Sequence, residues 1–193
     1  MKIHLVGNLM IDTLVRLLEF ASTSMLSDKG ERYALVTLHR PSNVDEPEML
    51  GQVFAALEEI SRDLKVIFPI HPRTRARLER VGFAKNGTTK LTEPSGYLEF
   101  LALQRNATVV ITDSGGIQEE TTFLGVPCLT VRENTERPVT VDLGTNVLVG
   151  TNVDRLKSET RKILAGEGKK GTIPPLWDGR SGERVAKLVS GMN

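Results

Sequence analysis

"ATVVITDSGGIQEETTFLGVPCLTV", residues 107–131, decides how the rest of the chain is read. Its opening run, 107–112, is apolar throughout rather than alternating, as a strand covered on both faces should be. Two glycines follow a serine and lead into a stretch of helical period. Gly125 ahead of Val126-Pro127 stops that helix, with a glycine past the end and a proline that forbids continuation. A second apolar run, 127–131, then begins. Strand, helix and strand joined by short turns predict a parallel sheet flanked by helices.

The same alternation extends outward. Strands are expected at 33–38, 64–70, 107–112, 127–131 and 146–150, with a shorter one near 89–93. Met49, Leu50, Val53, Phe54, Leu57 and Ile60 repeat every three or four residues and predict a helix, with Asp45 and Glu48 as a capping pair at its start. Further helices are expected at 73–81, 96–106, 116–125 and 153–166. The tail reads as a polar Pro/Gly loop before a closing helix within 178–193. No repeat or linker breaks the pattern, so residues 1–193 are expected to form one unit.

Composition narrows the function classes. With 193 residues, 39% of them hydrophobic, the chain can build one substantial core. A net charge of +1 gives no polyelectrolyte signature, so nucleic acid is not an expected partner. No apolar run approaches the ~20 residues of a membrane span, and no signal-peptide pattern opens the chain, so the cytoplasm is expected. The single cysteine, Cys128, lies in an apolar strand and reads as a reduced core thiol. Three histidines and one cysteine without paired spacing do not make a metal site.

Ligands of open α/β sheets bind outside the carboxyl ends of the strands. At those ends lie "HRPSNVDEP" after 33–38, "HPRTR" after 64–70, "PSGYLEF" after 89–93, "DSGGIQEE" after 107–112 and "RENTERP" after 127–131. The "DSGGIQEE" turn has two readings. One is a plain strand–helix turn with solvated glutamates. The other is an anion seat, in which free N–H groups and the helix dipole face a diphosphate, Gly115 and Gly116 permit close approach, and Ser114 adds a hydroxyl. On that reading Glu120, about 6 Å further along the axis, accepts from ribose hydroxyls, and Glu119, turned by ~100°, faces elsewhere.

His39 has two readings as well, a core histidine or a phosphate donor and acid/base. His71 occupies an equivalent place or caps the helix behind it, and His4 reads as structural. Residues 132–137 read as a solvated charged loop, or supply Arg137 as a cation for a diphosphate. Phe100 reads as core, or as part of an apolar lid for a base.

Taken in order, "VTLHRPSNVD", "PIHPRT", "TDSGGIQEE" and "RENTERP" resemble the non-hydrolysing UDP-N-acetylglucosamine 2-epimerases. "GNLMID" and "WDGRSGERVAKLV" resemble the segments that open and close that family's second half. The resemblance implies the C-terminal Rossmann-like domain of a glycosyltransferase-B fold, with residues 8–22 as an interdomain-type helix and the N-terminal domain absent. It implies that Ser114, Gly115 and Gly116 hold the diphosphate and Glu120 the ribose. Ser95, through its backbone, and Phe100 line the uracil, while Arg137 and His39 reach the phosphates and the reacting sugar.

The implied reaction interconverts UDP-GlcNAc and UDP-ManNAc by elimination and re-addition of UDP, with no metal or redox cofactor, for surface polysaccharide synthesis. The carboxylates the family uses around C2 belong to the absent domain. The chain is therefore expected to be the UDP-binding half of such an enzyme, with the missing domain or a split partner, and by analogy a second copy, as protein partners. Two alternatives stand beside this, a catalytically silent UDP-sugar module and half of a glycosyltransferase.

Overall fold

The computed structural model describes residues 3–21, 30–80 and 88–191. Six strands form one sheet in the order β3-β2-β1-β4-β5-β6. They are β1 (Tyr33–Thr37), β2 (Lys65–Pro69), β3 (Lys90–Thr92), β4 (Val109–Thr112), β5 (Cys128–Thr130) and β6 (Asn146–Leu148). Every pairing is parallel, with Leu35 opposite Ile67 on one side of β1 and opposite Val110 on the other. The chain runs outward from β1 to β3, returns to the centre at β4, and runs outward again to β6. The fold is a Rossmann-like α/β sheet, and its topological switch point lies between β1 and β4.

Successive residues of β1 supply opposite faces of the sheet. Ala34 and Val36 join a core built with α3 (Pro47–Ile60), α4 (Pro72–Arg80) and α8 (Val153–Leu164) through Phe54, Leu57, Leu78 and Leu156. Tyr33 and Leu35 join a second core with Leu103 of α5 (Tyr97–Asn106), against which Ile117 of α6 (Gly115–Leu124) packs. Each such side chain contributes about 1.5–3 kcal/mol on burial. Tyr33 also spans to α5, its hydroxyl donating to the Leu103 carbonyl at 2.6 Å. Cys128 is fully buried, and burial pushes its thiol up to about 11, so it is an inert core group.

The opening and closing segments meet. Asn8 caps α1 (Leu9–Leu18) by accepting from Met10 N at 2.9 Å. Asp12 of α1 accepts from the backbone of Ser181 and Gly182, at 3.0 and 2.7 Å, at the start of α9 (Ser181–Ser190). Gly7 has a φ of +103°, and a Cβ there would collide with the Leu176 carbonyl. The spacing Gly7-Asn8-Asp12 therefore holds the two ends of the chain together. Of the helix expected over 8–22, residue 22 lies outside the described residues, as do residues 192–193 of the closing segment.

Two short helices have no periodic signal, α2 (Pro41–Val44) and α7 (Pro138–Asp142), and each starts at a proline. The Asp45–Glu48 capping pair does not form. Pro47 starts α3, its N-cap Glu46 makes no side-chain cap bond, and Asp45 instead pairs with Arg77 of α4. An ion partner one helix away competes successfully with the local cap. Among the described residues, no helix is long and apolar enough to cross a membrane.

Candidate functional site

The switch point separates the loops after β1 and β4 on opposite sides of a crevice. Asp113, the first residue past β4, is fully buried there and accepts across the crevice from the β1 loop. Its carboxylate takes the backbone N–H of His39 (3.1 Å) and Arg40 (2.9 Å) and the Asn43 amide (2.9 Å). His39 Nδ1 lies 2.9 Å from the same carboxylate. Burial alone would push Asp113 up, but the hydrogen bonds from His39, Asn43 and Arg40 hold it below the ordinary aspartate value. The hydrogen bond to Asp113 raises His39 above 6.5 against partial burial. His39 is thus not a core histidine; its side chain remains 61% exposed beyond the anchored edge.

Beside Asp113, Ser114 is the N-cap residue of α6 and makes no side-chain cap bond. The first-turn N–H groups of α6 have no partner within the helix and carry its positive dipole end. A Cβ on Gly115 would stand 3.8 Å from Arg137 Cγ, so the Arg137 side chain passes directly over the glycine turn. Arg137 Nε is paired at 3.0 Å with Glu119. Glu119 does not face elsewhere: α6 turns it toward Arg137 and Asn8, where it is only 6% exposed. Burial raises its pKa, and Arg137 offsets only part of that rise.

The loop at 132–137 is held by its own charges. Arg132 grips Glu136 through two bonds of 2.8 Å, with Arg40 3.5 Å from the same carboxylate. The Arg132 hydrogen bonds pull Glu136 down to about 2. Thr135 donates to Gln118 of α6 at 2.6 Å, which fixes the loop against the glycine turn. A network of this kind, rather than solvation, sets where Arg137 stands.

Glu120 faces the other flank of α6. It is 5% exposed, and its Oε1 accepts from Tyr97 at 3.0 Å. Burial raises its pKa, with partial offset from Tyr97 and from the nearby Gln104 amide. Its Oε2 is buried, with the Gln104 amide nearby, and makes no aligned hydrogen bond among the described residues. The solvated-glutamate reading therefore fails for both acids. Tyr97 links the segment 95–100 to α6; Phe100 itself packs against the second core, and its N–H donates to Gly96 O at 2.9 Å. Its ring packs on that core and remains partly exposed.

The structure thus brings His39, Ser114, Gly115 and Arg137 to one crevice, with Glu120 one turn in, and Tyr97 ties the segment holding Ser95 and Phe100 to Glu120. His71 stays apart, its Nδ1 accepting from Arg73 N at 3.2 Å at the start of α4. Sequence patterns alone do not single out Asp113, Asn43 or Tyr97. An acid placed directly after a buried strand is the available signal for Asp113.

Known proteins match this chain in sequence and in fold. The family model described as UDP-N-acetylglucosamine 2-epimerase matches residues 1–190. A UDP-N-acetylglucosamine 2-epimerase of Methanococcus maripaludis is 40% identical over 98% of this chain. A Pseudomonas aeruginosa relative named UDP-2,3-diacetamido-2,3-dideoxy-D-glucuronate 2-epimerase is 38% identical over 98% of it. The Methanocaldococcus jannaschii UDP-GlcNAc 2-epimerase, solved in complex with UDP-GlcNAc and UDP, superposes with a TM-score of 0.82 at 40% identity, over 98% of this chain and 55% of that one. The chain spans about half the length of these relatives, 55% and 53% for the first two. With the sheet, the glycine turn and nearly the whole chain matched, this protein belongs to the UDP-N-acetylglucosamine 2-epimerase family.

Proposed function

We propose that this chain is the UDP-binding half of a UDP-N-acetylglucosamine 2-epimerase. One observation carries the reading: the N-terminus of α6, uncapped by any side chain, opens at a glycine turn crossed by Arg137 and flanked by the anchored His39. That is an anion seat with a guanidinium and an imidazole beside it, and with the Glu136 carboxylate, held by Arg132, at its edge. Ser114, Gly115 and Gly116 would hold the diphosphate. Glu120, one turn further along α6, would accept from the ribose hydroxyls. Ser95, through its backbone, and the segment to Phe100 would bound the uracil.

In the reaction, elimination of UDP leaves a glycal and re-addition delivers the proton to the other face of C2. His39 and Arg137 would stabilise the departing diphosphate, where negative charge develops. Proton transfer at C2 would fall to carboxylates on a second domain, which the relatives' greater length can supply. The two relatives above are named for sugars that differ beyond C2, so UDP and the 2-acetamido centre are the ligand parts they share. Residues 1–193 act as one nucleotide-binding unit in this reading. It assigns the chain to the cytoplasm and calls for no metal or redox cofactor.

Calorimetry with UDP on the chain alone tests the pose. Binding in the micromolar-to-millimolar range that disappears in Glu120→Ala supports it; a folded chain that binds no UDP refutes it. Turnover is a separate measurement, UDP-ManNAc formation with and without an added N-terminal half. The coverage of about half of each relative favours one second reading, a UDP-sugar-binding module silent on its own. Robust turnover by the chain alone would exclude that reading and relocate the catalytic acids.

A further inference from the structure

We infer that Asp113 is the positioning residue of His39: it holds Nδ1 as a hydrogen-bond donor and leaves Nε2 as the ring atom presented to the nucleotide. The geometry is asymmetric. Both carboxylate oxygens of Asp113 are fully buried and already receive two backbone N–H groups and the Asn43 amide. Every other contact of that carboxylate is a donor, so it is an acceptor-only, ionised group. The ring nitrogen 2.9 Å from it is therefore the one placed to carry a proton. With Nδ1 so fixed, the tautomer of the neutral ring is determined, and Nε2 lies on the 61% exposed edge.

The backbone of the same loop is fixed by the same side chain. His39 N and Arg40 N both donate to Asp113, and Arg40 Nε donates to the Asp113 carbonyl at 3.0 Å. Asn43, also holding the Val131 carbonyl at 3.0 Å, ties α2 to the strand exit of β5. The ring therefore has both its backbone and one edge anchored by a group on β4, the strand that leads into the glycine turn. Displacement of either loop would separate His39 from the diphosphate seat. The charged groups facing this pair are Arg40, whose guanidinium opposes a cationic ring, and Arg132, which adds positive potential at Asp113; Glu136 neutralises much of both.

The direction of the nucleotide rests on the proposed UDP-binding reading, but the tautomer does not. The test is ring-nitrogen NMR of the ¹⁵N-histidine chain without nucleotide, from about pH 5 to about pH 9, with His39 assigned by His39→Gln. The expected result is an Nδ1 that stays protonated throughout while Nε2 alone titrates, above the ordinary 6.5. In Asp113→Asn the titration moves down and the tautomer preference is lost. Asn43→Ala, which leaves the carboxylate–imidazole contact in place, should retain both.

A neutral His39 protonated mainly on Nε2 overturns the proposal, and this wild-type result needs no variant to fold. A His39 titration unchanged in Asp113→Asn, or one equally altered in Asn43→Ala, also overturns it. UDP is then added. An Nε2 resonance that shifts on saturation, with affinity about fivefold weaker in Asp113→Asn than in wild type, supports the outward role. An unmoved Nε2 in a wild type that does bind UDP refutes that role. A wild type that binds no UDP refutes the functional reading instead, and the tautomer result is unaffected.

Discussion

Arg137 Nε stands 3.0 Å from a Glu119 carboxylate that is only 8% exposed at its side chain. The pair joins α6 to the loop after β5 and holds the Arg137 side chain across Gly115, with Nη1 donating to the Glu136 carbonyl at 3.3 Å. Two consecutive acids of one helix thereby take opposite tasks, Glu119 orienting a cation and Glu120 offering an acceptor.

Arg137→Ala should act on both binding and stability. UDP affinity should fall by about tenfold or more with loss of a charge-assisted bond. Unfolding stability should fall by about 1–2 kcal/mol, because a buried carboxylate loses its partner. Glu119→Gln, which keeps the volume and removes the charge, should weaken UDP binding less than Arg137→Ala does. Calorimetry and denaturant unfolding of the three proteins check this ordering.

Glu120→Gln should separate binding from stability. Burial raises the folded pKa of Glu120 above 4.5, so the folded state binds more protons than the unfolded chain from that pH upward. Stability therefore falls as pH rises from 4.5 through the folded pKa, and the variant should lack that share of the slope. At neutral pH it should be as stable as wild type or more so, since the buried charge is gone and the Tyr97 hydroxyl keeps an acceptor. Its affinity for UDP should nevertheless drop at least about tenfold. Thermal melts across pH, paired with UDP titrations, measure both; a variant that binds UDP as wild type does would remove Glu120 from the site.

Two glycines should respond in opposite ways. Gly115→Ala meets Arg137 Cγ only at 3.8 Å and improves helix propensity. Its stability should stay within about 0.5 kcal/mol of wild type, while the methyl group obstructs the anion seat and weakens UDP binding. Gly144→Ala would drive a Cβ to 2.6 Å from the Thr140 carbonyl, and closer still to Thr122. It should destabilise by about 1–3 kcal/mol. Melting temperatures of the two variants distinguish the seat from the scaffold.

Asn146 should matter through groups it satisfies. It accepts from Thr130 Oγ1 at 2.6 Å and donates to Thr140 Oγ1 at 3.1 Å and Gln118 Oε1 at 3.3 Å. Asn146→Ala leaves these fully buried groups short of partners and should lose about 2–3 kcal/mol. Because Gln118 also anchors Thr135, ahead of Arg137, UDP affinity should fall with it. An Asn146→Ala chain with unaltered unfolding would show that the network is redundant.

Elements with a strong local pattern are legible in the amino-acid sequence itself. Residues 33–37, 65–69 and 109–112 are mainly apolar runs, and α3 and α8 have clear helical period. The glycine turn is equally plain, because a strand exit followed by Gly-Gly needs no distant information. The short helices α2 and α7 are not legible; four and five residues carry no period, and Pro41 and Pro138 read as breakers rather than as first helical positions. Asp45 reads locally as half of a cap because its true partner, Arg77, lies 32 residues away on another helix.

The sequence alone determined the α/β class, the number of strands, the residues at their carboxyl ends and the family resemblance, since each depends on contacts or patterns within a few neighbours. Only the tertiary structure decided which strands lie side by side, and the particulars of the site follow from those adjacencies. The pairing of β1 with β4 joins His39 to Asp113 across a separation of 74 residues, and the pairing of β4 with β5 brings Arg137 to Glu119. Burial and hydrogen-bond partners, which set the charge and orientation of these groups, are properties of non-local packing and have no signature in a single stretch of chain.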